Sequence, residues 1–105
     1  MASRNLDIGF IGIGVLGRGL SLALAERGYR VAGAHSRSEA SARGLADRIP
    51  GCDVYASAQA LSDASGLVFI TTPDSAIEDV SRSVNWRFGQ GVVHCYGGAS
   101  IELLK

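Results

Sequence analysis

Cysteine and proline are scarce in this chain, each occurring only twice in 105 residues. Cys52 and Cys95 have no metal-ligand spacing and fall in different predicted elements, so no metal is expected and a reduced, intracellular setting is the economical reading. Long hydrophobic runs are missing too. The longest apolar stretches are strand-sized, far short of a bilayer span, which argues against a membrane partner. Net charge is also lacking, with ten basic residues against ten acidic ones. No basic surplus points to nucleic acid, and no acidic run suggests a solvating tail. Met1-Ala2-Ser3-Arg4-Asn5 meets an interrupted apolar run at Leu6 without the small-residue cleavage site of a secretory signal, so a cytoplasmic protein is expected.

What is present is a globular balance, 47% hydrophobic and 19% charged, at a length that suits one domain over residues 1–105. Strand-like and helix-like segments alternate throughout. Leu6 to Ile11 reads as a buried strand, and Val15 to Arg27 as a helix with Leu16, Leu20, Ala23 and Leu24 at helical spacing and Gly28 as its stop. Arg30 to Ala34 is the second strand. Ser38 to Arg48 is a helix facing Ala42, Leu45, Ala46 and Ile49 inward; Ser36 and Glu39 have capping-box spacing, with Ser38 a competing cap. After Pro50-Gly51 come a short strand, Asp53 to Tyr55, a short helix, Ala58 to Leu61, and a fourth strand, Gly66 to Thr71. Asp74 or Ser75 caps a helix bearing Ile77, Val80 and Val84, and Val92 to Cys95 is a fifth strand. Ser100 then caps a helix that has barely begun at Lys105, an ending read as an excised domain or a truncated product.

This alternation predicts an α/β, Rossmann-like doubly wound parallel sheet in a single domain, its five strands ordered 3-2-1-4-5, with ligand at the carboxyl ends of strands one and four. Gly12-Ile13-Gly14-Val15-Leu16-Gly17 has the dinucleotide spacing. Among fourteen glycines that spacing means little by itself, but here it follows the first strand and opens the first helix. Gly12 makes the tight turn, Gly14 lets the backbone approach a pyrophosphate, and Gly17 lets helix and strand pack closely. The helix start offers free N–H groups and a positive dipole end. The competing reading is a glycine turn with no ligand.

The second strand ends without the Asp or Glu that usually accepts from the ribose hydroxyls of NAD. In its place stand Ser36, Arg37 and Ser38. A guanidinium flanked by hydroxyls suits the 2′-phosphate of NADP, which is the expected cofactor. Alternatively the serines merely cap the helix and Arg37 is solvated. Glu39 is the one nearby carboxylate and would repel a phosphate if it turned back. After strand four, Thr71, Thr72 and Pro73 are candidate contacts to ribose or pyrophosphate, and Asp74 is read as a cap. After strand five, His94 is the candidate catalytic residue, able to position a substrate or move a proton near neutral pH; the alternative is a half-buried histidine bonded to backbone. Cys95 is read as a small core residue.

Together, Gly12-Ile13-Gly14-Val15-Leu16-Gly17, Ser36-Arg37-Ser38, Thr72-Pro73-Asp74 and His94 through Gly98 resemble the N-terminal NADP-binding domain of the 6-phosphogluconate-dehydrogenase-like superfamily. Pyrroline-5-carboxylate reductase and the β-hydroxyacid dehydrogenases belong to it. A bacterial branch, in which a Rossmann-like domain precedes a helical domain of unassigned function, is closer still. The resemblance implies cofactor contacts from the glycines, the Ser-Arg-Ser segment and the Thr-Pro loop. That branch shows a histidine followed by a Ser-Gly turn after strand five, whereas here Tyr96 precedes Gly97-Gly98. Such enzymes continue into a helical domain that closes the active site and often dimerises, and that domain is expected to be absent here.

The expectation is therefore the cofactor domain of an NADP-dependent oxidoreductase acting on a small carbonyl, hydroxyacid or imine substrate, able to homodimerise and inactive in isolation. The alternatives are a non-catalytic NADP-sensing or interaction module, and a turn that binds some other phosphate-bearing ligand.

Overall fold

The computed structural model describes residues 7–72, 79–80, 82–86 and 89–94. Eight elements follow in order: β1 (Ile8–Ile11), α1 (Val15–Glu26), β2 (Val31–His35), α2 (Glu39–Ala46), β3 (Asp53–Val54), α3 (Ala58–Asp63), β4 (Leu67–Ile70) and β5 (Gly91–His94). The sheet order is β3-β2-β1-β4-β5, and every neighbouring pair is parallel. This is the expected doubly wound order. Leu6, the segment from Pro73 through Glu78, and Cys95 through Ser100 lie outside the described residues, so the fourth helix's cap, the turn after β5 and the last cap do too.

The central strands β1 and β4 are apolar on both faces because helices cover both. Every residue of β1 is buried, as a central parallel strand requires. Successive side chains alternate between two cores. Phe10 stacks on Phe69 with ring centroids 5.0 Å apart, in a core shared with Ala34, Ala42, Leu45 and Ile49 and flanked by Leu16, Leu20 and Leu24 of α1. The neighbouring residues Ile11, Val68 and Ile70 face the other way and pack with Leu61 of α3, beside Val80 and Trp86.

Local chemistry sets the boundaries. Gly28 takes a φ of +92°; its N–H donates to the Ala25 carbonyl and that of Tyr29 to the Leu24 carbonyl, each at 3.1 Å. This 6→1 and 5→2 pair closes α1 as a Schellman motif. Ser38 caps α2 by accepting from the Ser41 amide, and Ser57 caps α3 by accepting from Ala60. β2 runs one residue past the expected Ala34, because the Gly12 amide donates to the His35 carbonyl at 2.7 Å and carries the ladder on. α3 runs on to Asp63, whose carboxylate accepts from Gln59 at 3.0 Å.

Candidate dinucleotide site at the carboxyl edge

The three glycines of the first turn meet three different surroundings. Gly12 has a φ of +90°, and a Cβ there would sit 2.8 Å from the Thr72 amide nitrogen. Gly17 is closed off in the same way: its Cβ would come within 2.6 Å of the Gly12 carbonyl oxygen and would strike Thr71 Oγ1. Gly14 has nothing among the described residues within 4 Å of its Cβ position. It is the N-cap of α1, and it supplies no side chain to bond the first-turn amides. The first turn also holds no acidic residue. Its donors and the positive end of the helix dipole are therefore left for an outside anion. Val15 is 94% exposed beside Gly14, whereas Ile13 is buried and Leu16 packs partly into the core.

The Ser36-Arg37-Ser38 segment starts at the adjacent strand end, since Ile11 pairs with His35. Ser36 Oγ accepts from the Ser38 amide at 3.2 Å, and Ser38 Oγ accepts from the Ser41 amide at 3.3 Å. Both bonds use oxygen lone pairs. Among the described residues neither hydroxyl donates, so each O–H remains available to a ligand oxygen. Arg37 is exposed and makes no ion pair among the described residues. It lines a cleft of about 440 Å³ with His35, Ser36, Glu39, Arg43, Val54, Tyr55 and Ala56. The His35 ring is held by Nδ1–H donating to the Tyr55 carbonyl at 2.9 Å.

The third segment comes from β4. Thr71 is buried, and its amide donates to the Ile11 carbonyl at 2.8 Å. Its hydroxyl donates to the Gly12 carbonyl, so the side chain braces the glycine turn from beneath. Thr72 Oγ1 is buried and has no hydrogen-bond partner among the described residues. His94 pairs with Ile70, Ile70 with Ile11, and Ile11 with His35, which places the two histidines at opposite ends of one row across the sheet. Pro73 lies outside the described residues.

The glycine turn, the Ser-Arg-Ser segment and the two threonines thus meet at one edge, with His94 two strands from the turn. Tyr55, which forms the cleft wall and anchors His35, was missed by sequence reasoning; it lies just past a two-residue strand and contacts β2 only through the fold. The pairing of Glu39 with Arg43 was also missed, though their four-residue spacing on one helix face was a visible signal.

Cys52 is a buried free thiol pushed up to about 11, first by burial and then by the Asp53 charge. Such a thiol is a poor nucleophile. Among the described residues no group of three or more His, Cys, Asp or Glu could hold a metal ion. Among them also, no helix is long and apolar enough to cross a membrane.

A profile of the Rossmann-like domain family matches residues 1–105. Among solved structures, a candidate NADP oxidoreductase of Bacteroides fragilis is 27% identical, with a TM-score of 0.77 over 87% of this chain and 36% of its own. A UDP-N-acetylglucosamine 3-dehydrogenase of Acidithiobacillus ferrooxidans is 26% identical, with a TM-score of 0.71 over 90% of this chain and 30% of its own. An imine reductase of Pseudomonas sp. shares the fold at 22% identity and a TM-score of 0.73, over 97% and 36%. The chain thus spans about a third of the length of these structures. No curated protein matches it.

Proposed function

The chain belongs to the Rossmann-like domain family, and on that premise we propose that it is the NADP(H)-binding domain of an oxidoreductase. One observation carries the reading: a helix start at Gly14 with no side-chain cap, and an Arg37 with no ion pair among the described residues, follow adjacent strand ends at one edge. The cofactor fits the residues present. Space at Gly14, open among the described residues, admits a pyrophosphate against the backbone, and the Thr72 hydroxyl, without a partner among those residues, can bond a ribose or phosphate oxygen.

In this reading the amides of Ile13 through Gly17 bind the pyrophosphate, with Gly12 and Thr71 holding the turn in shape. Arg37, with the O–H groups of Ser36 and Ser38, binds the 2′-phosphate by charge-assisted hydrogen bonds. Thr72 and Pro73 contact the ribose or pyrophosphate from the β4 side. When bound, the nicotinamide supplies or accepts the hydride; the protein orients it and keeps water away. His94 positions the substrate or moves its proton. The whole protein acts on a small carbonyl, hydroxyacid or imine in the cytoplasm, within the 6-phosphogluconate-dehydrogenase-like superfamily, and pairs with a second copy.

Titration calorimetry tests the cofactor. Wild type binds NADPH more tightly than NADH, and Arg37→Ala loses about tenfold or more for NADPH alone, the scale of a charge-assisted contact. Binding of neither nucleotide would defeat the assignment. Activity is tested by hydride transfer in a longer chain carrying the downstream sequence; persistent inactivity across carbonyls and imines would favour an NADP sensor.

A further inference from the structure

We propose that Glu39 and Arg43 set the strength of this site's preference for the 2′-phosphorylated dinucleotide, Arg43 cancelling a carboxylate that otherwise faces the incoming phosphate. The inference rests on NADP(H) occupying the cleft beside Arg37. Glu39 is the first residue of α2, next to its Ser38 cap, where a carboxylate is favoured by the helix dipole. Folding therefore prefers a negative charge at the same helix start that binding wants for a phosphate. Arg43 sits one turn on. Its Nη2 and Nε both donate to Glu39 Oε2, at 2.9 and 3.2 Å, and both residues line the cleft with Ser36 and Arg37.

The charge balance follows directly. With Arg37, Glu39 and Arg43 present, the phosphate end of the cleft carries one net positive charge. Without Arg43 it carries none, and without Glu39 it carries two. Both partners are about two-thirds exposed, so the pair adds little to folding and its removal leaves the domain intact. Its consequence falls on the ligand, because a 2′-phosphate brings up to two negative charges into the same space and NADH brings none there. The pair thus adjusts selectivity without touching the pyrophosphate turn.

The test measures NADPH and NADH dissociation constants for wild type, Glu39→Gln, Arg43→Gln and the double variant, with thermal unfolding confirming the fold of each. The preference for NADPH over NADH falls about fivefold in Arg43→Gln and rises about fivefold in Glu39→Gln, the scale of one unit charge at short range in a screened surface cleft. In the double variant it returns to within about twofold of wild type, since the net charge is restored. Unchanged preference in both single variants would overturn the proposal. So would a double variant as weak as Arg43→Gln, which would make Arg43 a direct phosphate ligand. Arg37→Ala separates the two failures. If Arg37→Ala keeps the preference, the cofactor assignment falls and takes this inference with it; if Arg37→Ala abolishes the preference while the Glu39 and Arg43 variants are flat, only the inference falls.

Discussion

Gly14 and Gly17 stand three residues apart in the same turn, yet an added methyl group meets different surroundings at each. At Gly17 it drives into the Gly12 carbonyl and Thr71, so Gly17→Ala destabilises the fold by about 1–3 kcal/mol as overpacking does. At Gly14 it enters open space, and stability changes by no more than about 1 kcal/mol, the cost of losing a glycine N-cap. The methyl there still occupies the pyrophosphate's approach. Gly14→Ala therefore unfolds near the wild-type temperature while losing nucleotide affinity, as paired melting and calorimetry would record. Cys52 supplies a second prediction at this scale. Its folded thiol titrates near 11 against an ordinary value of 9.0, so the folded state holds the proton more tightly. The resulting stabilisation is complete below pH 9 and is lost as the pH rises towards 11. Denaturant unfolding at both ends of that window will show a steeper loss in wild type than in Cys52→Ala.

Among the elements, α2 ties folding to binding through Ser38, which caps the helix and in the proposed site also donates to the phosphate. Ser38→Ala costs about 1 kcal/mol, the usual cap loss. Ser38→Asp keeps the cap but sets a carboxylate against the phosphate, so its melting temperature stays near wild type while its NADPH affinity falls and its NADH affinity changes little. The sequence left Ser36 and Ser38 in competition for this cap. Local spacing cannot decide between them, because the start of α2 depends on where β2 ends, and β2 is held to His35 by the amide of Gly12 in another segment. α3 is also tied to a distant segment, since its Gln59 accepts from the Asn85 amide at 2.8 Å across 26 residues. Apolar periodicity located the elements and local caps closed the helices, whereas the end of β2 was set by the distant Gly12 amide.

For the molecule as a whole, sheet order and the meeting of the glycine turn with the Ser-Arg-Ser segment were legible, because right-handed βαβ crossovers leave few arrangements open. The Thr71 hydroxyl on the Gly12 carbonyl joins residues 59 positions apart, and no local pattern announces it. Tyr55 in the cleft wall is hidden for the same reason. The central claim is one of place: a diphosphate at the first turn of α1 and an extra phosphate at Arg37, both at the carboxyl edge of the sheet. NMR titration of isotope-labelled protein tests it most directly. NADPH and NADH should both shift the amides of Gly14 through Gly17, and only NADPH should shift the Arg37 side-chain Nε–H. Shifts confined to the opposite edge, around Gly28 and Gly66, or an Arg37 signal indifferent to both nucleotides, would contradict the account.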